Sequence, residues 1–379
     1  MERADVLIVG GGPAGSACAA ALRAAGQDVL VVDAACFPRD KPCAGWITPE
    51  VLEELPFSID AYAKEHVAQP ISRFRVGTIG GGTVDVDYGE PVSHGIRRVE
   101  FDAELLLHSR ARVLEGRRVR TVERRNGDWV LDGVLAAPVL VGAGGHRCPV
   151  ARYLNPATEE APVVAAREIE FPIQAEDASR CRVEEDRPEL YFCADLRGYG
   201  WCFRKGDHLN IGLGRLDKRH LPDHLAAFLE FLRQSERIES IPDDGWRGHA
   251  YRVRRGRPRR AGERGILLVG DAAGLAASAS GEGILAALVS GRMAAETILA
   301  SAWSDYDLRL ERRFGPSTAG GELPGRLSAA LASVLLAFPG LVRHVILDRW
   351  FLHRSRATSR RPRLRRDPTR ARATAPLDL

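Results

Sequence analysis

Six residues near the start, Gly10-Gly11-Gly12-Pro13-Ala14-Gly15, constrain this chain more than any other feature. They follow an unbroken apolar run, Val6-Leu7-Ile8-Val9, and precede a small-residue stretch over 16–25 that Gly26 stops. The pattern reads as strand, tight turn and helix, then a second strand over 28–32 that ends at Asp33. Glycines let such a turn fold tightly and bring its backbone close to a pyrophosphate, while the helix start offers free N–H groups and a favourable dipole. Asp33, 18 residues past Gly15, suits an acceptor for a ribose hydroxyl. Gly10, Gly12, Pro13, Ala14, Gly15 and Asp33 are therefore candidate dinucleotide-binding residues. An accidental Gly-rich turn would not have both flanks in register.

At 379 residues the chain is too long for one small core and fits two or three joined lobes. With 45% hydrophobic and 27% charged residues it sits near the globular average, which excludes a fibrous or wholly disordered chain. The formal charge of +4 is unevenly spread: residues 354–379 hold nine Arg against Asp367 and Asp378, a tail of +7 on a body of −3. The basic balance thus belongs to the tail and makes no case for a nucleic-acid partner. Seven cysteines, with no CxxC and no Cys/His metal spacing, favour reduced thiols in a cytoplasmic protein without a metal site. Nothing before the first strand reads as a signal peptide. The longest uncharged apolar stretch, 327–342, is broken by Pro339-Gly340 and is too short for a membrane span.

Thr48-Pro49-Glu50 opens a helix, with Thr as N-cap and Pro at the first helical position. A helix is expected over 101–111, and a hairpin of 119–122 and 129–131 around Asn126-Gly127. A third buried strand, Val139-Leu140-Val141, runs into Gly142-Ala143-Gly144-Gly145. Alternating segments at 165–171, 189–194, 200–203 and 209–213 predict an antiparallel sheet, with an amphipathic helix over 221–232. Residues 266–269 return to a buried strand, followed by Gly270-Asp271 and a small-residue helix over 284–299. Residues 305–353 read as helical with Gly/Pro breaks, and the tail as disordered.

No second Gly-rich fingerprint follows a strand, so a separate NAD(P) fold is not expected. Arg98-Val99-Glu100-Phe101-Asp102 is an R-x-x-F-D pattern opening a helix. Ile266-Leu267-Leu268-Val269-Gly270-Asp271-Ala272-Ala273-Gly274 leads to Ser280-Gly281-Glu282-Gly283-Ile284. These motifs, in this order, resemble the para-hydroxybenzoate-hydroxylase-like FAD superfamily. The resemblance implies that Asp271 hydrogen-bonds the ribityl chain and that Gly281, Gly283 and Ile284 lie near the flavin pyrimidine. Arg98, Val119 and Gly270 complete the implied FAD-binding set. A helix start there would stabilise negative charge on reduced flavin. Two further segments narrow the resemblance, which covers roughly residues 1–300. Phe37-Pro38-Arg39-Asp40-Lys41-Pro42-Cys43-Ala44-Gly45 is similar to the PCxG segment of the geranylgeranyl reductase family. Gly198-Tyr199-Gly200-Trp201-Cys202-Phe203-Arg204-Lys205-Gly206-Asp207, continuing to Asn210-Ile211-Gly212-Leu213-Gly214, is similar to that family's Y-x-W-x-F-P-x-G-D…N-x-G-x-G segment. Arg204 stands where the family often has Pro, Ser278 where a Pro usually precedes Gly-Glu-Gly, and Gly144 where the superfamily has the Asp of A-D-G.

The implied architecture is α/β. A Rossmann-type FAD-binding domain (1–70, 95–160 and 255–300) carries an inserted antiparallel-sheet substrate domain (71–94 and 161–254). A helical C-terminal region (301–353) and the basic tail (354–379) follow. The implied function is an FAD-dependent oxidoreductase whose reduced flavin delivers hydride to an unsaturated, apolar, isoprenoid-like small molecule. A flavin monooxygenase or halogenase of the same superfamily is the alternative, and a non-catalytic flavin or lipid carrier the rival from another class. The electron donor is either NAD(P)H or a reduced carrier protein. Cys43 and Ala44 would approach the flavin, with Cys43 either a flavin-facing thiol or a packed residue. Tyr199 and Trp201 share a strand face with Phe203 and wall either a cavity or a core. Cys43, Tyr199 and Trp201 are thus the catalytic candidates. Lys205 and Asp207 read as turn residues. His146 and Arg147 follow the third strand, where ligands bind in open α/β sheets, although a lone His is more often structural. The Arg run over 252–260 reads as a solvated loop. The tail's charge suits anionic lipid and peripheral membrane contact.

Overall fold

The computed structural model describes residues 1–155, 163–174, 180–253, 262–277, 280–315, 336 and 338–353. Val6–Val9 and Val29–Val32 are buried at every residue and pair in parallel. Val139–Gly142 lies on the other side of Val6–Val9, and Ile266–Leu268 lies beyond it, again in parallel. Arg112–Leu114 closes one edge in parallel and Gly262–Glu263 the other antiparallel, completing six strands. Strands covered on both faces are continuous apolar runs, and this is why these were legible. The helix Pro13–Ala24 covers one face and packs against Ile284–Ala300. Small residues permit that contact: a Cβ at Gly291 would stand 2.3 Å from the Ala14 carbonyl oxygen.

A second sheet has seven strands in the order Arg247–Arg252, Val163–Pro172, His208–Arg215, Gly198–Lys205, Glu189–Phe192, Arg73–Thr78, Thr83–Asp87. The expected antiparallel sheet is mixed at one pair, since Arg73–Thr78 runs parallel to Glu189–Phe192. No local pattern signals a pairing between segments so far apart in sequence. The sheet is buried on both faces. Ala166, Trp201 and Phe203 face Val342, Ile346 and Phe351, whereas Cys202, Ile211 and Leu213 face Phe228 and Leu232 of the helix Leu221–Gln234. Pro339–Leu341 and the π-helical turn of Val342–Phe351 form the described end of the chain. The helices expected over 316–335 and the disordered tail lie outside the described residues. Among the described residues, no helix is long and apolar enough to cross a membrane.

Several boundaries shift for local reasons. The first helix begins at Pro13, because proline's fixed φ suits the first helical position. The helix Arg98–His108 takes Arg98 into its first turn instead of starting at 101. The hairpin is Val122–Arg125 with Asp128–Leu131, turning at Asn126 (φ +50°) and Gly127 (φ +89°). Residues 119–121 stay outside it, because the Asp132 carboxylate accepts from the Arg120 and Thr121 amides.

Candidate active site

A cavity of about 860 Å³ opens between the two sheets. One end is the carboxyl edge of the parallel sheet, lined by Gly10, Gly12, Pro13, Ala14 and Asp33. Gly10 sits at φ +114°, where a Cβ would meet the Ala143 carbonyl oxygen at 2.4 Å, so only glycine lets the turn pass beneath the neighbouring strand. Gly12 supplies no side-chain cap to the helix it precedes, which leaves first-turn amides for an anion. The Asp33 carboxylate accepts from Gly11 N at 2.7 Å and Ala35 N at 2.8 Å. It braces the turn and still has lone pairs for a ribose hydroxyl. Gly15 and Gly270 do not line the cavity. A Cβ at Gly15 would meet the Gly10 carbonyl at 1.9 Å, and Gly270 N donates to Ser290 Oγ at 2.9 Å. Both glycines allow close packing just behind the cavity wall.

Arg98 also lines the cavity, and its guanidinium is bidentate to Asp102 at 2.7 and 2.8 Å, one helical turn on. Arg39 reaches the same carboxylate at 2.9 Å. Burial would raise the Asp102 pKa, but Arg98, Arg39 and Lys41 outweigh it and hold the carboxyl below its ordinary value. Arg98 also contacts the Cys43 thiol, which ties the Pro42-Cys43-Ala44 segment to this buried pair. Asp271 faces the cavity with Lys41 Nζ 3.7 Å away. Gly281, Gly283, Ile284 and Val119 line it as well. Glu282 Oε1 accepts from Leu285 N at 2.7 Å and caps the helix Ile284–Ala300. Burial pushes the Glu282 carboxyl up to about 7.

The other end is aromatic. Tyr199, Trp201, Trp46 and Phe351 line it with Ala165 and Ala166. Trp46 stacks on Phe351 at 5.5 Å, and Tyr199 meets Phe351 edge-on at 5.3 Å. The Tyr199 hydroxyl donates to the Ser280 carbonyl at 2.5 Å and so ties the strand Gly198–Lys205 to the turn before the helix Ile284–Ala300. Trp201 Nε1 donates to Asn210 Oδ1 at 2.7 Å, and Asn210 Nδ2 donates to the Cys43 carbonyl at 3.3 Å. Phe203 shares the face but lies beneath Trp46, outside the cavity wall. Lys205 is not a turn residue. It ends the strand Gly198–Lys205, is buried, ion-pairs with Glu170, and donates to the carbonyls of Ala44 (3.2 Å) and Ile96 (3.1 Å). Asp207 is exposed as expected. His146 and Arg147 line the cavity, Arg252 does not, and the rest of the Arg run lies outside the described residues.

Reading the sequence missed Arg39, Lys41, Trp46, Thr48, Glu168 and Phe351, all at the cavity wall. Thr48 precedes the helix Pro49–Glu54 as the sequence predicts, yet its hydroxyl makes no cap bond. Its Oγ1, together with Arg39 Nη1 and Trp46 Nε1, is buried without a protein partner. Such groups are costly unless an occupant satisfies them. A cradle of Gly-turn amides, Arg39, Arg98 and Asp271, followed by Thr48, therefore fits a long, anionic, polar-edged cofactor such as FAD.

A Gly-rich turn on a parallel sheet thus faces an aromatic-walled second sheet across one cavity. A profile of NAD(P)-binding Rossmann-like domains matches residues 8–57. The chain is 32% identical over 368 residues to the menaquinone reductase of Mycobacterium tuberculosis, covering 89% of this chain and 85% of that protein. It is 31% identical over 335 residues to the geranylgeranyl diphosphate reductase of Rhodobacter capsulatus, covering 81% and 78%. A geranylgeranyl bacteriochlorophyll reductase-like protein from Thermoplasma acidophilum superposes with a TM-score of 0.70 over 91% of each chain, at 21% identity. A flavin-dependent brominase shares the fold at a TM-score of 0.65 and 18% identity, covering 93% of this chain and 92% of that one. The chain belongs to the geranylgeranyl reductase family of FAD-dependent oxidoreductases. Its cofactor is FAD.

Proposed function

We propose that this enzyme saturates a carbon–carbon double bond in a neutral isoprenoid, of the class named in its menaquinone reductase relative, and not in a prenyl diphosphate. One observation carries the choice. Trp46, Tyr199, Trp201 and Phe351 line the cavity together with Ala165, Ala166 and the carboxyls of Glu168 and Glu282. A diphosphate beside these rings would be desolvated next to acids, with Lys205 already paired to Glu170, which costs several kcal/mol. A quinone or an isoprenoid tail loses nothing comparable and buries apolar surface against Trp46, Tyr199, Trp201 and Phe351.

In this reading Gly10, Gly12, Pro13 and Ala14 hold the pyrophosphate and Asp33 the ribose. Asp271 holds the ribityl chain, and Gly281, Gly283 and Ile284 lie along the ring. Reduced FAD supplies a hydride. Cys43 and Ala44 form the wall between cofactor and substrate, held in place by Lys205, Asn210 and Arg98. The four aromatic rings orient the substrate and exclude water. The test is anaerobic incubation of the FAD-loaded enzyme and dithionite with a short-chain menaquinone, or with geranylgeranyl diphosphate, followed by mass spectrometry. The expected product is the menaquinone heavier by two hydrogens beyond its quinol, with the diphosphate unchanged. Preferential reduction of the diphosphate would overturn the choice. Addition of an oxygen atom in air would point to the monooxygenase reading.

A further inference from the structure

We propose that Glu168 is the proton donor of this site, delivering from its carboxyl the proton that completes saturation of the substrate double bond. The inference deepens the function proposed above and rests on it. Saturating an alkene adds a hydride to one carbon and a proton to the other. Two electrons and one hydrogen nucleus come from reduced FAD as the hydride. The second hydrogen must come from an acid inside the dry wall.

The cavity offers few such acids. The Tyr199 proton is engaged with the Ser280 carbonyl, and burial raises the pKa of both Tyr199 and Tyr251. Burial and Lys41 hold His249 well below its ordinary value, so it is a neutral imidazole. Glu282 has one oxygen committed to the helix it caps, while His353 lies 3.9 Å from the other. Glu168 differs in place and in partners. It lies on Val163–Pro172 two residues from Ala166, on the face that lines the aromatic end, and is only 5% exposed. It occupies a slot opposite Gly212, where a Cβ would stand 2.8 Å from the Glu168 Cβ and 2.3 Å from the Trp201 ring. The Cys43 backbone amide and Asn210 Nδ2 (3.5 Å) donate to its carboxyl.

The charged groups around it explain why it keeps a proton. Lys205, the cation that acts on it, is paired with Glu170 and spends its other donors on backbone carbonyls. Glu170 itself adds negative charge from the same strand face. Arg247, the cross-strand partner on Arg247–Arg252, turns to Asp40 at 2.8 Å, and His249 on that strand is neutral. Burial leads, with Lys205 opposing and Glu170 adding, and the carboxyl is pushed up to about 7. After transfer, the Cys43 amide, Asn210 and Lys205 support the new carboxylate, which regains its proton from water when the product leaves.

Two measurements test this. The first needs no turnover: a 13C NMR titration of FAD-loaded protein labelled at the glutamate carboxyls. The Glu168 resonance, identified by its loss in Glu168→Gln and distinguished from Glu282 by Glu282→Gln, should titrate near 7. Complete ionisation below pH 5 overturns the assignment, whatever the substrate. The second follows dithionite-reduced enzyme with a short-chain menaquinone. Glu168→Gln should keep its FAD and its flavin reduction rate but lose about 100-fold or more in product formation. Wild-type kcat should fall as pH rises through about 7, and the variant's residual rate should be flat. Glu168→Asp should restore part of the rate. A Glu168→Gln enzyme within about threefold of wild type, with the wild-type pH profile, overturns the proposal. A wild type inert toward the menaquinone would sink the substrate reading instead, and the titration would still decide whether Glu168 holds a proton at neutral pH.

Discussion

Glu168 weakens the fold whenever it is ionised. Burial pushes its carboxyl up to about 7 in the folded protein, against 4.5 as an isolated group. Below pH 4.5 it is protonated in both states and nothing is lost. As pH rises from there to about 7, the unfolded chain ionises first and stability falls, by about 3 kcal/mol in full. Glu168→Gln should therefore exceed wild-type stability by about 3 kcal/mol at pH 8 and match it near pH 4, as read by urea denaturation at the two pH values. An equal difference at both would show that the carboxyl is unshifted. Asp102 has the opposite sign. Its folded pKa lies below its unfolded value, so its stabilisation is present above the unfolded value and is lost as pH falls through the folded one. Asp102→Asn leaves the Arg98 and Arg39 guanidiniums without their counter-charge and should cost about 3–5 kcal/mol at pH 7 in the same assay. Arg98 and Asp102 were visible in the sequence because a motif fixes their spacing. Glu168 was not: in Ala166-Arg167-Glu168-Ile169-Glu170, alternation assigns the acids to solvent, and only the covering of both sheet faces turns them inward.

The elements differ in how far they could be foreseen. The parallel strands were plain, because burial on both faces writes them as apolar runs. The parallel pairing of Arg73–Thr78 with Glu189–Phe192 was not, because register between remote segments leaves no local trace. The sequence places Lys205 in a turn because Lys-Gly-Asp is good turn chemistry; the turn does form, at Gly206 (φ +59°), one residue later. The most demanding contact joins Pro13–Ala24 to Ile284–Ala300. A Cβ at Gly291 would meet the Ala14 carbonyl at 2.3 Å, Ala17 Cβ at 3.1 Å and Cys18 N at 3.1 Å, none of which can rotate away. Gly291→Ala should force the helices apart at a cost of about 1–3 kcal/mol. It should also move the helix start that receives the pyrophosphate. Lower Tm together with lower flavin absorbance per chain is the expected result, and a variant with wild-type flavin occupancy would show that the two helices are not coupled to the cofactor site.

At the scale of the whole molecule, the cavity draws on many distant stretches, among them 10–14, 43–48, 199–201 and Phe351. The first three carry motifs. Phe351 carries none, and long-range packing against Trp46 and Tyr199 alone brings it there. The same architecture bears on how electrons arrive. Among the described residues there is one six-stranded Rossmann sheet with one Gly-rich turn, so a nicotinamide dinucleotide has no nucleotide fold of its own. Gly144, which stands where the superfamily has an orienting Asp, lines the cavity and offers no side-chain acceptor. Arg117, Arg118, Arg147 and Arg152 line the cavity too, a cationic surface suited to an acidic donor protein. NADPH alone should therefore reduce the bound flavin slowly, and a reduced acidic carrier such as a ferredoxin faster. The carrier's rate should fall steeply with salt, because screening shortens to about 10 Å at 0.1 M. Gly144→Asp is a workable probe. A Cβ there would lie 3.3 Å from Cys148 Cα and 3.4 Å from its Sγ, a contact that a shift of a few tenths of an ångström relieves. Anaerobic stopped-flow with NADPH, NADH and reduced ferredoxin, on both proteins and at two salt concentrations, measures each term. Fast, saturable reduction of the wild type by micromolar NADPH would defeat the prediction and show that the single nucleotide fold is enough.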